Sequence, residues 1–236
     1  MAMMFSRLSH FLLVLVLVFA FAACGEDVVV KKNTGKTPDQ VNVLLLTQSV
    51  FLPHTQDLIT AYGFPAPVVI DNTATTPTVA DLLLADVVFV QVNISPANAT
   101  ALGDVLADYV DAGGKLVLGA VSHDNTYGLY GRIRTDGYSP IAFGGGYSIT
   151  PSSLGTIVAP SHPLMAGVTA LNPGIRDLGA LQPGMVEVAQ WADGSVALAT
   201  NPTGNVVAFN LFTMINKATG DLSIALGNAL FYAATH

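Results

Sequence analysis

Apolar and polar positions follow two different periods along the chain, and the switch between them is clearest from Asn98 to Ala120. Leu102, Val105, Leu106, Tyr109 and Val110 recur at three- and four-residue steps, which puts them on one helical face. Asp104, Asp108 and Asp111 fall elsewhere on the turn, where they can meet water. Gly113 and Gly114 end that helix, because glycine reaches the left-handed conformation of a C-terminal cap. Lys115 to Ala120 follows as a mostly apolar run, as expected of a strand buried on both faces. A helix returning straight into such a strand is half of a βαβ unit.

The same reading extends in both directions. Val41–Leu46, Val68–Asp71 and Val87–Val92 predict strands, Phe51–Tyr62 a helix stopped by Gly63, and Val79–Ala85 a helical turn. This order argues a parallel sheet with right-handed crossovers. After Val121 the pattern changes: Ser122–Gly146 is long, irregular and rich in Gly, Tyr and Asp, a length usually explained by function or by ordering through packing. Tyr147–Thr150 and Thr156–Val158 are expected to pair as short strands, and Ser161–Leu164 is a turn entering a short helix. Val186–Trp191 and Val196–Thr200 flank Ala192-Asp193-Gly194-Ser195, a hairpin signal, with Trp191 expected in the core. Asn205–Asn210 gives a further strand and Gly220–Ala234 a closing helix. The fold class expected is α/β: a three-layer α/β/α sandwich with a mostly parallel central sheet, plus a C-terminal β-hairpin excursion.

Composition adds a compartment to this picture. Of 236 residues, 51% are hydrophobic and 11% charged, against about 25% charged in an ordinary globular domain. Part of the apolar excess is the run Phe11–Ala23 behind Arg7 and His10, which is shorter than a membrane span and ends in small residues, as a secretory signal does. The only cysteine, Cys24, follows Phe21-Ala22-Ala23 and precedes Gly25. This resembles the lipobox of bacterial lipoproteins, with Phe21 where leucine is usual. The resemblance implies cleavage before Cys24, a lipid such as palmitate on its sulfur, and anchoring without a spanning helix.

The expected layout is therefore a signal peptide over 1–23, a lipidated tether over 24–40 and one domain over 41–236. Gly25 lacks the aspartate associated with inner-membrane retention, so an outer-membrane location is the expectation for a Gram-negative cell. The mature chain keeps eight basic against sixteen acidic residues and has no basic run beyond Lys31-Lys32, which argues against nucleic-acid partners. With Cys24 lipidated, no thiolate nucleophile or cysteine metal site remains.

The succession of DYVDAGGKLVLG at Asp108–Gly119, Gly131-Arg132 with Gly137-Tyr138-Ser139-Pro140, HPLMAGV at His162–Val168 and WADG at Trp191–Gly194 resembles the class I glutamine amidotransferase-like (flavodoxin-like) domains of uncharacterised bacterial surface and secreted proteins. The similarity runs from about Val41 to Ala234. Enzymatic members carry a cysteine on a tight turn after a central strand, with a histidine and an acid elsewhere. Here the comparable turn is Gly119-Ala120-Val121-Ser122-His123, and no cysteine stands on it. The resemblance thus implies the fold without glutamine hydrolysis.

The candidate site residues follow from where such sheets place ligands, at the carboxyl ends of the strands. Ser122 and His123 stand there as catalytic candidates or as a polar turn; His162, before Pro163, is a third catalytic candidate or a cap that fixes its loop. Asn93 ends a strand at the same edge and is a ligand-binding candidate. So are Arg132, Asp136 and Tyr138 of the long loop, where Arg134 also stands, since arginine can bind a carboxylate bidentately and tyrosine can stack on a sugar. The alternative for Arg132 is pairing with aspartates to order the loop. Gly144-Gly145-Gly146 lacks the G-K-[ST] of a phosphate loop, and the histidines lack metal-ligand spacing, so no cofactor and no metal are expected.

Two functions remain in view. One is a non-catalytic envelope domain that binds a small molecule, glycan or protein, or serves as a scaffold. The other is a hydrolase-type enzyme using His123, His162 and Arg132 with an aspartate the pattern does not reveal. They separate on whether His123 or His162 reaches a carboxylate or serine within one cleft.

Overall fold

Strands β1 (Val43–Thr47), β2 (Val68–Asp71), β3 (Val87–Val90), β4 (Leu116–Gly119) and β11 (Val206–Phe209) lie side by side in the order β2-β1-β3-β4-β11, all parallel. The computed structural model describes residues 35–48, 52–214 and 216–236, which belong to one unit. The expected signal segment, Cys24 and most of the tether lie outside the described residues. The runs read from Val41, Val87 and Lys115 are parallel neighbours, as βαβ order requires.

Side chains alternate across each strand, and this alternation sorts the core into two layers. Val43 and Leu45 join one apolar cluster with α1 (Leu52–Tyr62) and α5 (Leu222–Thr235). Leu44 and Leu46 join another with α2 (Val79–Leu82) and α3 (Ala99–Asp111). Leu45, Phe89, Leu102 and Leu106 are fully buried, and each such side chain contributes roughly 1.5–3 kcal/mol. Asn98 caps α3 by accepting from Ala101 N at 2.9 Å. Gly113 takes φ +90° beyond its end, as expected.

The sheet continues past β11 with antiparallel strands. β6 (Leu154–Ile157) is the far edge, reached through β10 (Val196–Thr200) and β9 (Val186–Trp191), so the hairpin read around Ala192–Ser195 extends the central sheet. Trp191 is buried there. The expected pairing of Tyr147–Thr150 with Thr156–Val158 does not form. β5 (Tyr147–Ser148) pairs with β8 (Arg176–Asp177) instead, and β6 adds to the edge of β9. An isolated two-strand ribbon is marginal in water, whereas joining an existing edge satisfies the β6 backbone and packs Leu154 against the core. β7 (Leu171–Pro173) and β12 (Ala218–Gly220) form a second ribbon, and α4 (Arg132–Thr135) is one helical turn inside the long loop.

Candidate functional site

β4 delivers its exit turn to the carboxyl edge of the sheet, and the backbone there is constrained. Val121 adopts φ +72°, a conformation costly for a β-branched residue. Its N–H donates to Asp177 Oδ1 at 2.9 Å, which fixes the turn. Two residues on, His123 Nδ1 lies 2.7 Å from Asp177 Oδ2, and His123 Nε2 lies 2.7 Å from Ser139 Oγ. A carboxylate can only accept, so Nδ1–H donates to Asp177; in the neutral imidazole this leaves Nε2 to accept from the Ser139 hydroxyl. Ser139 Oγ in turn accepts from Ile141 N at 3.2 Å.

Asp177 is held from behind as well. Its N–H donates to Asn210 Oδ1 at 2.6 Å, and Asn210 Nδ2 donates to Asp177 O at 2.9 Å and to Val196 O at 2.6 Å. Asn210 follows β11, so the adjoining parallel strands β4 and β11 meet through Asp177. The β5–β8 ribbon brings Asp177 to this position, which is why the unexpected pairing of β5 matters. The chain of groups Ser139–His123–Asp177 has the connectivity of a serine hydrolase triad. It lacks the access: Ser139 and Asp177 are 0% exposed and His123 1%. The Phe143 ring, 4.8 Å from the imidazole, covers part of it.

The other candidates fall elsewhere or are already engaged. Ser122 Oγ is buried without a hydrogen-bond partner and takes no part in the chain of groups. His162 caps the short helix Pro163–Met165 by accepting from Leu164 N, and its ring packs on Tyr232 of α5. Burial, then the nearby His236, lower its pKa. Asn93 donates its N–H to Gln48 Oε1 at 3.1 Å at the sheet edge, apart from His123 in the hydrogen-bond network.

Arg132, Asp136 and Tyr138 do come together, but on one another and on α3. Arg132 pairs with Asp108, with Asp111 at 2.8 Å and with Asp136 at 3.1 Å, and Tyr138 donates to Asp111. The Arg132 and Tyr138 hydrogen bonds lower the Asp111 pKa, while Thr135 and then Arg132 lower that of Asp136. These pairs order the long loop, and Asp108 and Asp111 of α3, read as water-facing, hold Arg132 while staying exposed. Among the described residues no group of His, Cys, Asp or Glu is placed to hold a metal ion.

Asp177, Ser139 and Asn210 carried no signal of role in the sequence. Asp177 sits in a two-residue strand, and Ser139 in a turn before proline. Their partners lie 16 to 54 residues away.

Solved structures share this architecture. A cytoplasmic protein of Salmonella typhimurium superimposes with TM-score 0.61 at 12% identity, over 80% of this chain and 98% of its own. One called a ThuA-like protein, from Bacteroides uniformis, gives 0.59 at 14% identity, over 86% and 94%. One named as a GMP synthase component, from Thermoplasma acidophilum, gives 0.53 at 11%, over 82% and 94%. The chain has a glutamine amidotransferase-like, flavodoxin-like fold. Identities this low speak to the fold alone. No family model matches the chain, and no curated protein matches it.

Proposed function

We propose that this chain is a lipid-anchored domain of the bacterial cell envelope that binds a ligand at the carboxyl edge of its sheet and does not catalyse. Signal 1–23 is removed, Cys24 is acylated, and residues 25–40 tether the domain to the membrane surface. The observation that carries the non-catalytic half is the sealing of Ser139–His123–Asp177, both of whose outer groups are 0% exposed. A nucleophile must meet its substrate, and here the hydroxyl meets only His123 and the Ile141 amide. The turn Gly119–His123, which the resemblance compares with the one carrying a cysteine in the enzymes, has none, and its strained residue is Val121. In this setting the chain of groups braces the loop.

One observation favours a second reading. The 2.7 Å spacings on both imidazole nitrogens are those of a general base ready to activate Ser139. A hydrolase would use Ser139, His123 and Asp177; His162 and Arg132 would not join it. The readings separate on turnover by the full chain, read as ammonia release from glutamine and as p-nitrophenyl acetate hydrolysis. No turnover above buffer is expected, and none that Ser139→Ala changes. Turnover abolished by Ser139→Ala or His123→Ala would overturn the non-catalytic reading.

A further inference from the structure

The polypeptide enters the domain at the amino edge of the sheet, beside two exposed leucines. Gly35 leads into Lys36, whose ammonium pairs with Asp86. Asp86 stands just before β3 and is tied to the residue just before β1: its N–H donates to Asn42 O at 2.9 Å, and its Oδ2 accepts from Asn42 N at 2.9 Å. Leu83 and Leu84 lie in the turn that runs into Asp86, so they sit where the chain arrives.

The turn is built to keep these two side chains outside. Thr78 and Asp81 cap α2 reciprocally, Asp81 N donating to Thr78 Oγ1 at 3.2 Å and Thr78 N to Asp81 Oδ2 at 2.8 Å. Leu82 is fully buried in the layer of α2 and α3, and Leu83 N donates to Val79 O at 3.0 Å. With Leu82 anchored, Leu83 is left 49% exposed and Leu84 83%, the highest value for a large apolar side chain among the described residues. Val68, which opens β2 at the same edge, is exposed as well. Apolar side chains grouped on a fixed turn mark a contact surface.

The occupant follows from where the chain leads. Ten residues, 25–34, separate Gly35 from Cys24, a reach of at most about 40 Å when fully extended. On the lipid-anchor reading above, this edge is held close to a bilayer, and its contact with that bilayer becomes intramolecular. Asp39 and Asp81 are exposed here and the whole chain carries a net charge of −7, so the contact is apolar and owes nothing to anionic headgroups. We propose that Leu83 and Leu84 insert into the interfacial layer of the bilayer that holds Cys24. The amino edge of the sheet then rests on the membrane, and the carboxyl edge, with its ligand site, faces away. This inference rests on the anchoring reading and adds the orientation.

Environment-sensitive labelling tests it. The full chain is purified from bacterial membranes, reacted with a thiol-directed nitrobenzoxadiazole dye and reconstituted on phosphatidylcholine vesicles with spin-labelled acyl chains. With Cys24 acylated, the wild type should take no dye, and Leu84→Cys should take one. The control is Ile94→Cys, an exposed position at the carboxyl edge, where the Ile94 carbonyl accepts from Gln48 Nε2. Dye at position 84 is expected to shift to the blue and be quenched on the vesicles, and dye at position 94 to do neither. Adding Leu83→Glu should abolish the quenching at 84. No quenching at 84, equal quenching at 84 and 94, or a blue shift at 84 before vesicles are added, the sign of a second copy or another segment on the patch, would each overturn the proposal while leaving the anchor standing. Dye on the wild type would show a free Cys24 thiol and overturn the anchor, and the orientation with it.

Discussion

The imidazole of His123 donates to the carboxylate of Asp177 across 2.7 Å, joining positions 54 residues apart in a setting closed to water. The same carboxylate receives the amide of Val121. It therefore fixes a strained turn and the ribbon β5–β8 together. Replacing Asp177 with Ala strands both donors in the interior, at a cost of about 3 kcal/mol. For a domain of this size that lowers the melting temperature by roughly 6–12 °C. Thermal unfolding followed by circular dichroism checks it; an unchanged melting temperature would show that the carboxylate braces nothing.

Gly103 sits inside α3, where alanine would ordinarily favour the helix. A Cβ there would lie 1.6 Å from the carbonyl oxygen of Tyr130 and 2.8 Å from Ile133 Cγ2. The long loop therefore docks directly on the α3 backbone. Gly103→Ala is expected to destabilise by about 1–3 kcal/mol despite its helix propensity, measured by urea unfolding. A stabilising result would mean the loop does not rest there.

Burial works to raise the pKa of Asp193, but the Ser195 hydroxyl, Arg176 and the Ser195 amide outweigh it and hold the group at about 2. A carboxyl depressed in the folded state adds stability above its unfolded value, near pH 4, and loses it as pH falls toward 2. The melting-temperature gap between the wild type and Asp193→Asn should thus be widest above about pH 4 and close toward about pH 2. A gap that stays constant over that range would contradict the assignment.

Cys24→Ser removes the only sulfur able to carry a thioether-linked lipid. In a bacterial host the wild-type chain is expected in the membrane fraction with incorporated radiolabelled palmitate, and the variant without label. Equal labelling of the two would refute anchoring through Cys24.

What could be read from the sequence was local. β1 to β4, α3 and the β9–β10 hairpin follow from apolar periodicity and glycine stops, because each pattern lies within its own element. The loop-ordering role of Arg132 was legible as one of two options, since an arginine among aspartates has few other outcomes in an acidic chain. The partners of His123 were not legible. Asp177 reaches it only through the pairing of Tyr147 with Asp177, and Ser139 only through the path of an irregular loop. No period or spacing encodes contacts made by irregular backbone, so these residues become visible only when the chain is folded.

Exposure of Ser139 to a reactive phosphonate bears most directly on whether this fold is a binding domain or an enzyme. A fluorophosphonate probe phosphonylates a serine hydroxyl only when the hydroxyl is both activated and reachable. Incubation of the full chain with the probe, followed by peptide mass spectrometry, is expected to leave Ser139 unmodified under conditions that label a serine hydrolase control to completion. Stoichiometric modification of Ser139, lost in His123→Ala, would show that the sealed chain of groups opens and works as a triad.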